Sequence, residues 1–180
     1  MPTLLILDAN AFFSGKQLSD VQADHLFITS EIEEEVSVNK NALLILESLK
    51  AQNKLMVMDP ENSYYKHAKQ TAINTGDQTV ISEADLGIIA LALDLKSKAE
   101  YKEWEIKVVS SDFAVQNVCK TLGIGYLSFK HGTIKRKIIW NFKCKDCGKS
   151  FRSPSQNECD VCGGIIIRTS QSKKNKNTSK

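Results

Sequence analysis

The chain has 180 residues, 42% hydrophobic and 25% charged, with a formal net charge of +3 and five cysteines. That length buries one sizeable core and leaves room for a small satellite. No apolar run approaches the ~20 residues that span a bilayer, and the N-terminus has neither the basic start nor the cleavage site of a signal peptide, so a soluble, cytoplasmic protein is expected.

The first apolar run, Thr3-Leu4-Leu5-Ile6-Leu7, reads as a buried strand closed by Asp8, with a tight turn and a helix start after it. A second run, Ile106 to Ser111, is closed by Asp112. Both carboxylates then stand at the C-terminal ends of parallel strands, the edge where open α/β sheets place their chemistry. Between them lie the short strands Leu26-Phe27-Ile28 and Leu55 to Met58, and helices over 41–50 and 64–74. A last helix from Ala114 stops at Gly123, before a strand at Ile124 to Leu127. Strand and helix alternate throughout, which predicts an α/β fold with a mostly parallel sheet flanked by helices.

Two more acids fall near helix N-termini. In Thr29 to Val36, Ser30 is the expected N-cap with Glu33 as its capping-box partner. Ile32 and Val36 mark the buried face, and Glu35 is expected at its edge while Glu33 and Glu34 point outward. Ser82-Glu83-Ala84-Asp85 opens the most apolar helix of the chain, so Asp85 is at once a capping residue and a carboxylate beside the strand ends. Asp8 and Asp112 also have ordinary readings as helix caps. Taken together, Asp8, Glu35, Asp85 and Asp112 predict one metal site, because four clustered carboxyls without a cation would raise one another's pKa values.

Charge is unevenly spread. Residues 1–129 carry 11 Lys/Arg against 18 Asp/Glu, whereas residues 130–180 carry 13 against 3. A tail this basic suggests a polyanion partner. It also holds Cys144, Cys147, Cys159 and Cys162 in a C-x2-C-x11-C-x2-C pattern, each pair followed by glycine, which reads as a four-cysteine zinc ribbon. Lys135, Arg136, Lys137, Lys143, Lys145, Lys149 and Arg152 are interleaved with Trp140, Phe142 and Phe151, a mixture suited to phosphate contact and base stacking. Trp140 and Phe142 could equally pack inside so small a module. Cys119 reads as a small buried apolar residue. The resulting division is an α/β body at 1–127, a basic linker at 128–137, the ribbon at 138–168 and a disordered basic tail at 169–180.

Leu7 to Phe12, Ser30 to Val36, Ser82 to Leu86 and Val109 to Val118, with the Gln116-Asn117 pair, resemble a PIN domain. With the ribbon directly after it, the chain resembles the Nob-type endonucleases that trim the 3′ end of small-subunit ribosomal RNA, in their compact archaeal form. The resemblance implies metal-site acids at Asp8, Glu35, Asp85 and Asp112 and a hydroxyl residue at Ser110, with Glu34 the neighbour that a one-residue shift would promote. It also implies a magnesium- or manganese-dependent endoribonuclease, with a structural zinc ion in the ribbon, acting on precursor small-subunit rRNA in the pre-ribosomal subunit. The rivals are a stand-alone PIN ribonuclease cutting other RNAs and a non-catalytic RNA-binding assembly adaptor.

Overall fold

Among the described residues, five short strands pair in parallel, the central one buried from Leu4 to Leu7. They are β1 (Thr3–Leu7), β2 (His25–Ile28), β3 (Leu55–Val57), β4 (Glu105–Val109) and β5 (Gly125–Leu127), in the order β3-β2-β1-β4-β5. A computed structural model describes residues 1–13, 18, 22–128, 138–151 and 157–170. Central β1 pairs Leu5 with Leu26 on one side and Lys107 on the other. The chain leaves β1 toward β2 and β3, then returns to β4 on its other flank, so the sheet reverses direction between β1 and β4. Such a switch point opens a crevice at the C-terminal strand ends.

Among the described residues six α-helices fill the connections: α1 (Asn10–Phe13), α2 (Ser30–Ser37), α3 (Lys40–Ala51), α4 (Asn62–Thr75), α5 (Glu83–Ser97) and α6 (Phe113–Leu122). Contacts group α1 and α2 with α3, and α4 and α5 with α6, as right-handed crossovers to either side of β1 require. Helix α5 is buried over most of its length, from Leu86 to Ala92, which confirms it as the central helix. Its own packing therefore fixes where Asp85 stands. Gly76 and Gly123 close α4 and α6 in the left-handed conformation.

One cap differs from expectation. Thr29, extended at the end of β2, caps α2 by accepting from the Ile32 N–H at 3.4 Å. Ser30 instead donates its N–H and Oγ–H to Asp59, at 2.9 and 2.6 Å, because the end of β3 lies beside it. The cap thus moves back one residue.

After the described part of the body, β6 (Trp140–Cys144), β7 (Ser150–Phe151) and β8 (Ile166–Ser170) form an antiparallel sheet ordered β7-β6-β8. Pairing of Trp140 with Ser170 carries the ribbon two residues past the expected boundary at 168. Of the expected basic linker only Ser128 is described. Lys135, Arg136, Lys137, Arg152 and residues 171–180 lie outside the described residues.

Candidate functional site

The crevice at the β1–β4 switch point gathers three of the four acids. Asp8 is buried directly after β1, and its N–H continues the sheet by donating to the Val109 carbonyl at 3.1 Å. Ser110, buried after β4, donates its Oγ–H to Asp8 Oδ2 at 2.9 Å and accepts the Asp112 N–H at 3.1 Å. One hydroxyl therefore ties the two strand ends together. Asp112 itself caps α6, accepting from the Ala114 N–H at 2.6 Å. Fully buried Gln116 donates to the Ser110 carbonyl at 3.2 Å, bracing the turn from behind.

Asp85 reaches the same place from α5. Its Oδ2 accepts from the Ser82 N–H and Oγ–H while its own N–H donates to Ser82 Oγ, the reciprocal capping box that the sequence predicted. Capping and clustering are not alternatives here, because the cap holds the carboxylate in orientation. Burial raises the Asp85 pKa above its ordinary value, the Ser82 hydrogen bonds oppose that rise, and the negative charges of Asp8 and Asp112 reinforce it. Cys119 lies under the site: burial first, and the Asp85 charge second, push its thiol far up. It is an inert core residue, as expected.

Glu35 does not follow its predicted phase. Ile32 and Val36 are buried as expected, but Glu35 is exposed alongside Glu34, while Glu33 leans back into an ion pair with Lys50. Glu31, one turn before Glu35 and on the same helix edge, puts its Oε2 3.7 Å from where a Cβ on Gly87 of α5 would stand. That edge of α2 thus faces the helix that carries Asp85. A neighbouring depression of about 480 Å³ between α2, the β3–α4 turn and α5 is lined by Glu31, Asp59, Tyr65 and Glu83.

In the ribbon the four cysteine sulfurs lie within 4.8 Å of one another, with Cys144 and Cys162 3.5 Å apart and Cys147 and Cys159 3.6 Å apart. A tetrahedral zinc–thiolate site, with bonds of about 2.3 Å, separates its sulfurs by about 3.8 Å. Gly148 and Gly163 adopt φ of 76° and 70°, the turn conformation expected after each Cys-x-x-Cys. Backbone N–H groups then face the sulfurs. That of Cys147 does most to lower the Cys144 thiol to about 7. The Gly164 N–H acts likewise on Cys162, yet the Cys144 and Cys147 sulfurs outweigh it and push that thiol up to about 12. Four thiolates can coexist here only around a cation, so the cluster can hold a metal ion. Among the described residues it is the one group of three or more Cys, His, Asp or Glu drawn together this tightly.

The described basic residues divide. Lys143 and Lys145 are exposed, whereas Lys149 bonds both oxygens of Asp160 at 2.8 Å across the two knuckles and lies over the Phe151 ring. Trp140 and Phe142 resolve toward packing. Phe142 is buried, and Trp140 lies against Gly76 of the body with the Arg168 guanidinium 4.0 Å above its ring. Trp140 is half-buried, with Arg168 over its ring. Sequence reasoning missed Asp77, Asn117 and Arg168, which meet at that junction. Asp77, just past the end of α4, and Asn117, midway along α6, gave no local sign that they would be buried together.

Residues 5–95 match the family model described as the PIN domain of ribonuclease. The chain is 32% identical over 163 residues to endoribonuclease Nob1 of Pyrococcus abyssi, covering 90% of this chain and 91% of that protein. It is 26% identical to endoribonuclease Nob1 of Methanothermobacter thermautotrophicus, over 91% of each chain. With ribonuclease VapC1 of Thermoplasma acidophilum it shares 28% identity over 92% of this chain and 77% of that one. With a parallel sheet that gathers carboxylates at its switch point and a four-cysteine ribbon behind it, the chain belongs to the PIN-domain ribonuclease family, as a Nob-type endoribonuclease.

Proposed function

We propose that this endoribonuclease matures the 3′ end of precursor small-subunit ribosomal RNA within the pre-ribosomal small subunit, in the cytoplasm. The observation that carries the reading is the convergence of Asp8, Asp85 and Asp112 on one sheet edge, with Ser110 bridging two of them. Burial, and after it the charges of Asp8 and Asp112, raise the Asp85 pKa, and hard oxygen donors crowded in this way suit a magnesium or manganese ion. Asp8, Asp85 and Asp112 would hold that ion, which when bound neutralises charge at the scissile phosphate and acidifies water. Ser110 fixes the Asp8 carboxyl, the Ala114 N–H fixes that of Asp112, and Ser82 fixes that of Asp85. Glu35, exposed on the α2 edge that faces α5, orients the attacking water. Zinc fits the cysteine cluster by donor type and sulfur spacing. The ribbon presents Lys143 and Lys145 to phosphate, together with Lys135, Arg136, Lys137 and Arg152.

Precursor small-subunit RNA spanning the mature 3′ end, incubated with manganese or with chelator, tests this reading. Metal-dependent cutting at one bond is expected. Asp8→Asn and Asp112→Asn should each lower the rate by about 10²–10³-fold, the scale for losing one preorganised electrostatic group, while folding persists because Asn also caps helices. Full activity of both variants would sink the proposal. A second reading, a PIN ribonuclease acting on other RNAs, draws on the similarity to ribonuclease VapC1. It predicts cutting of unrelated RNAs at rates equal to the precursor.

A further inference from the structure

Gly76, Asp77 and Asn117 of the body meet Ile138, Trp140 and Arg168 of the ribbon in a buried junction. Asn117 is 1% exposed, and its amide pairs with the Ile138 backbone just before β6 as a neighbouring strand would. Its Oδ1 accepts the Ile138 N–H at 2.8 Å, and its Nδ2 donates to the Ile138 carbonyl at 2.8 Å. The same Nδ2 donates to Asp77 Oδ2 at 2.6 Å. Asp77 is fully buried, and its Oδ1 accepts from Arg168 Nη2 at 2.9 Å. The Arg168 guanidinium in turn covers Trp140. Gly76 completes the fit: a Cβ there would stand 2.9 Å from the Trp140 Cβ and 3.2 Å from Phe142, and its φ of 77° already favours glycine.

Three separate parts of the ribbon are therefore gripped: the residue entering β6, the face of β6, and β8. Attachment at three places fixes an orientation, which a tether at one place would not. The grip is also rigidly related to the carboxylate edge. Asp112 caps α6 at one end, Gln116 braces Ser110, and the next residue, Asn117, holds the ribbon. Asn117 stands five residue steps along the helix from Asp112, a span of about 7.5 Å. Buried charge pairs of this kind can be retained for the single arrangement that they specify rather than for stability.

We propose that Asn117, Asp77 and Arg168 are positioning residues. They form a clasp that sets the direction in which the ribbon faces Asp8 and Asp112, and so determines which phosphodiester bond of a ribbon-held RNA is cut. The inference rests on the reading above, in which the ribbon carries RNA to the carboxylates. None of the three is a proposed RNA contact or metal ligand.

The test uses the full zinc-loaded chain, as wild type, as Asn117→Ala and as the charge-neutral double variant Asp77→Asn/Arg168→Met. Two substrates are compared: precursor RNA spanning the mature 3′ end, with cut positions mapped, and an unstructured oligonucleotide too short to reach the ribbon. Residual dipolar couplings report whether body and ribbon share one alignment. Expected are separate alignments in both variants, retained zinc, unchanged cutting of the oligonucleotide, and about 10²-fold slower precursor cutting spread over several bonds. Equal losses on both substrates would reduce the clasp to a stability element and overturn the proposal. Separate alignments with wild-type cut position and rate would overturn it too, as would one shared alignment in both variants. A wild-type chain that does not cut the precursor at one bond sinks the underlying reading instead, whatever the variants do.

Discussion

The two halves of this protein are held together by different forces. The body buries a continuous core that runs from Leu4 and Leu5 through Phe27, Leu46, Ile88 and Leu91 to Val118, so apolar burial at roughly 25 cal/mol per Å² organises it. Among the described ribbon residues only Phe142, Cys144 and Cys159 are buried, while Val161, Ile165 and Ile167 stand exposed. Cysteine chemistry must supply there what a core supplies in the body. The charge divides the same way, acidic before residue 130 and basic after it. A strongly cored body can afford to crowd carboxylates at its edge. A ribbon without a core can be nearly all surface, and therefore nearly all contact.

Removing the metal breaks the comparison most severely. With chelator, or in Cys159→Ser, the ribbon should unfold outright, since structural zinc in such modules is worth about 10–16 kcal/mol near neutral pH. The body should keep its sheet, because the departing ribbon opens Asp77 to water rather than stranding it in the dry junction. Amide spectra check this: the β6 to β8 resonances collapse to random-coil positions while those of β1 to β5 persist. Joint loss of both sets would show that the body depends on the ribbon for its fold.

How much of this was legible depended on how local each signal is. Asp8 and Asp112 could be read because a buried strand is a contiguous apolar run, and its end is visible in sequence. The cysteines could be read because a zinc knuckle fixes spacing to the residue. Asp85 carried both its meanings in four residues, Ser82 to Asp85. Glu35 could not be placed, because its exposure turned on a one-residue phase in an eight-residue helix whose cap, Thr29, was set by Asp59 of another element. Asp77 was visible only as part of a turn. Its partners Asn117 and Arg168 stand 40 and 91 residues away, and no local pattern encodes such a meeting. Trp140 was ambiguous for the same reason, since Arg168, which covers its ring, stands 28 residues away.

The charge contrast can be sharpened by titrating salt. Replacing Lys135, Arg136 and Lys137 by Ala should weaken RNA binding and flatten the dependence of log K on log salt by about 2, given roughly 0.7 per single-strand phosphate contact. Lys149→Ala should change the slope less, because that ammonium is already committed to Asp160. Filter binding across a salt series reads both. An unchanged slope in the triple variant would make the ribbon a structural staple rather than the RNA-holding half.

The smallest expected effect lies on the acidic side and concerns pH. The folded-state pKa of Asp85 is raised above 3.8 by burial and by the charges of Asp8 and Asp112, so between 3.8 and that higher value the native state binds more protons than the unfolded one. Stability contributed by this group is then fully present below 3.8 and is lost as pH rises through the folded value. In metal-free protein at neutral pH the ionised carboxylate opposes folding. Asp85→Asn removes that charge, and its side-chain oxygen can still accept the Ser82 N–H. The metal-free variant should therefore melt above wild type at neutral pH, with the gap closing as pH falls toward 3.8. Adding manganese should reverse the order, because wild type gains stability by binding the ion and the variant gains less. Thermal melts across pH, with and without manganese, decide the matter. If metal-free wild type melts higher at neutral pH, the Ser82 cap outweighs the crowding of the three acids, and the body's edge is a set of helix caps rather than a strained site awaiting a cation.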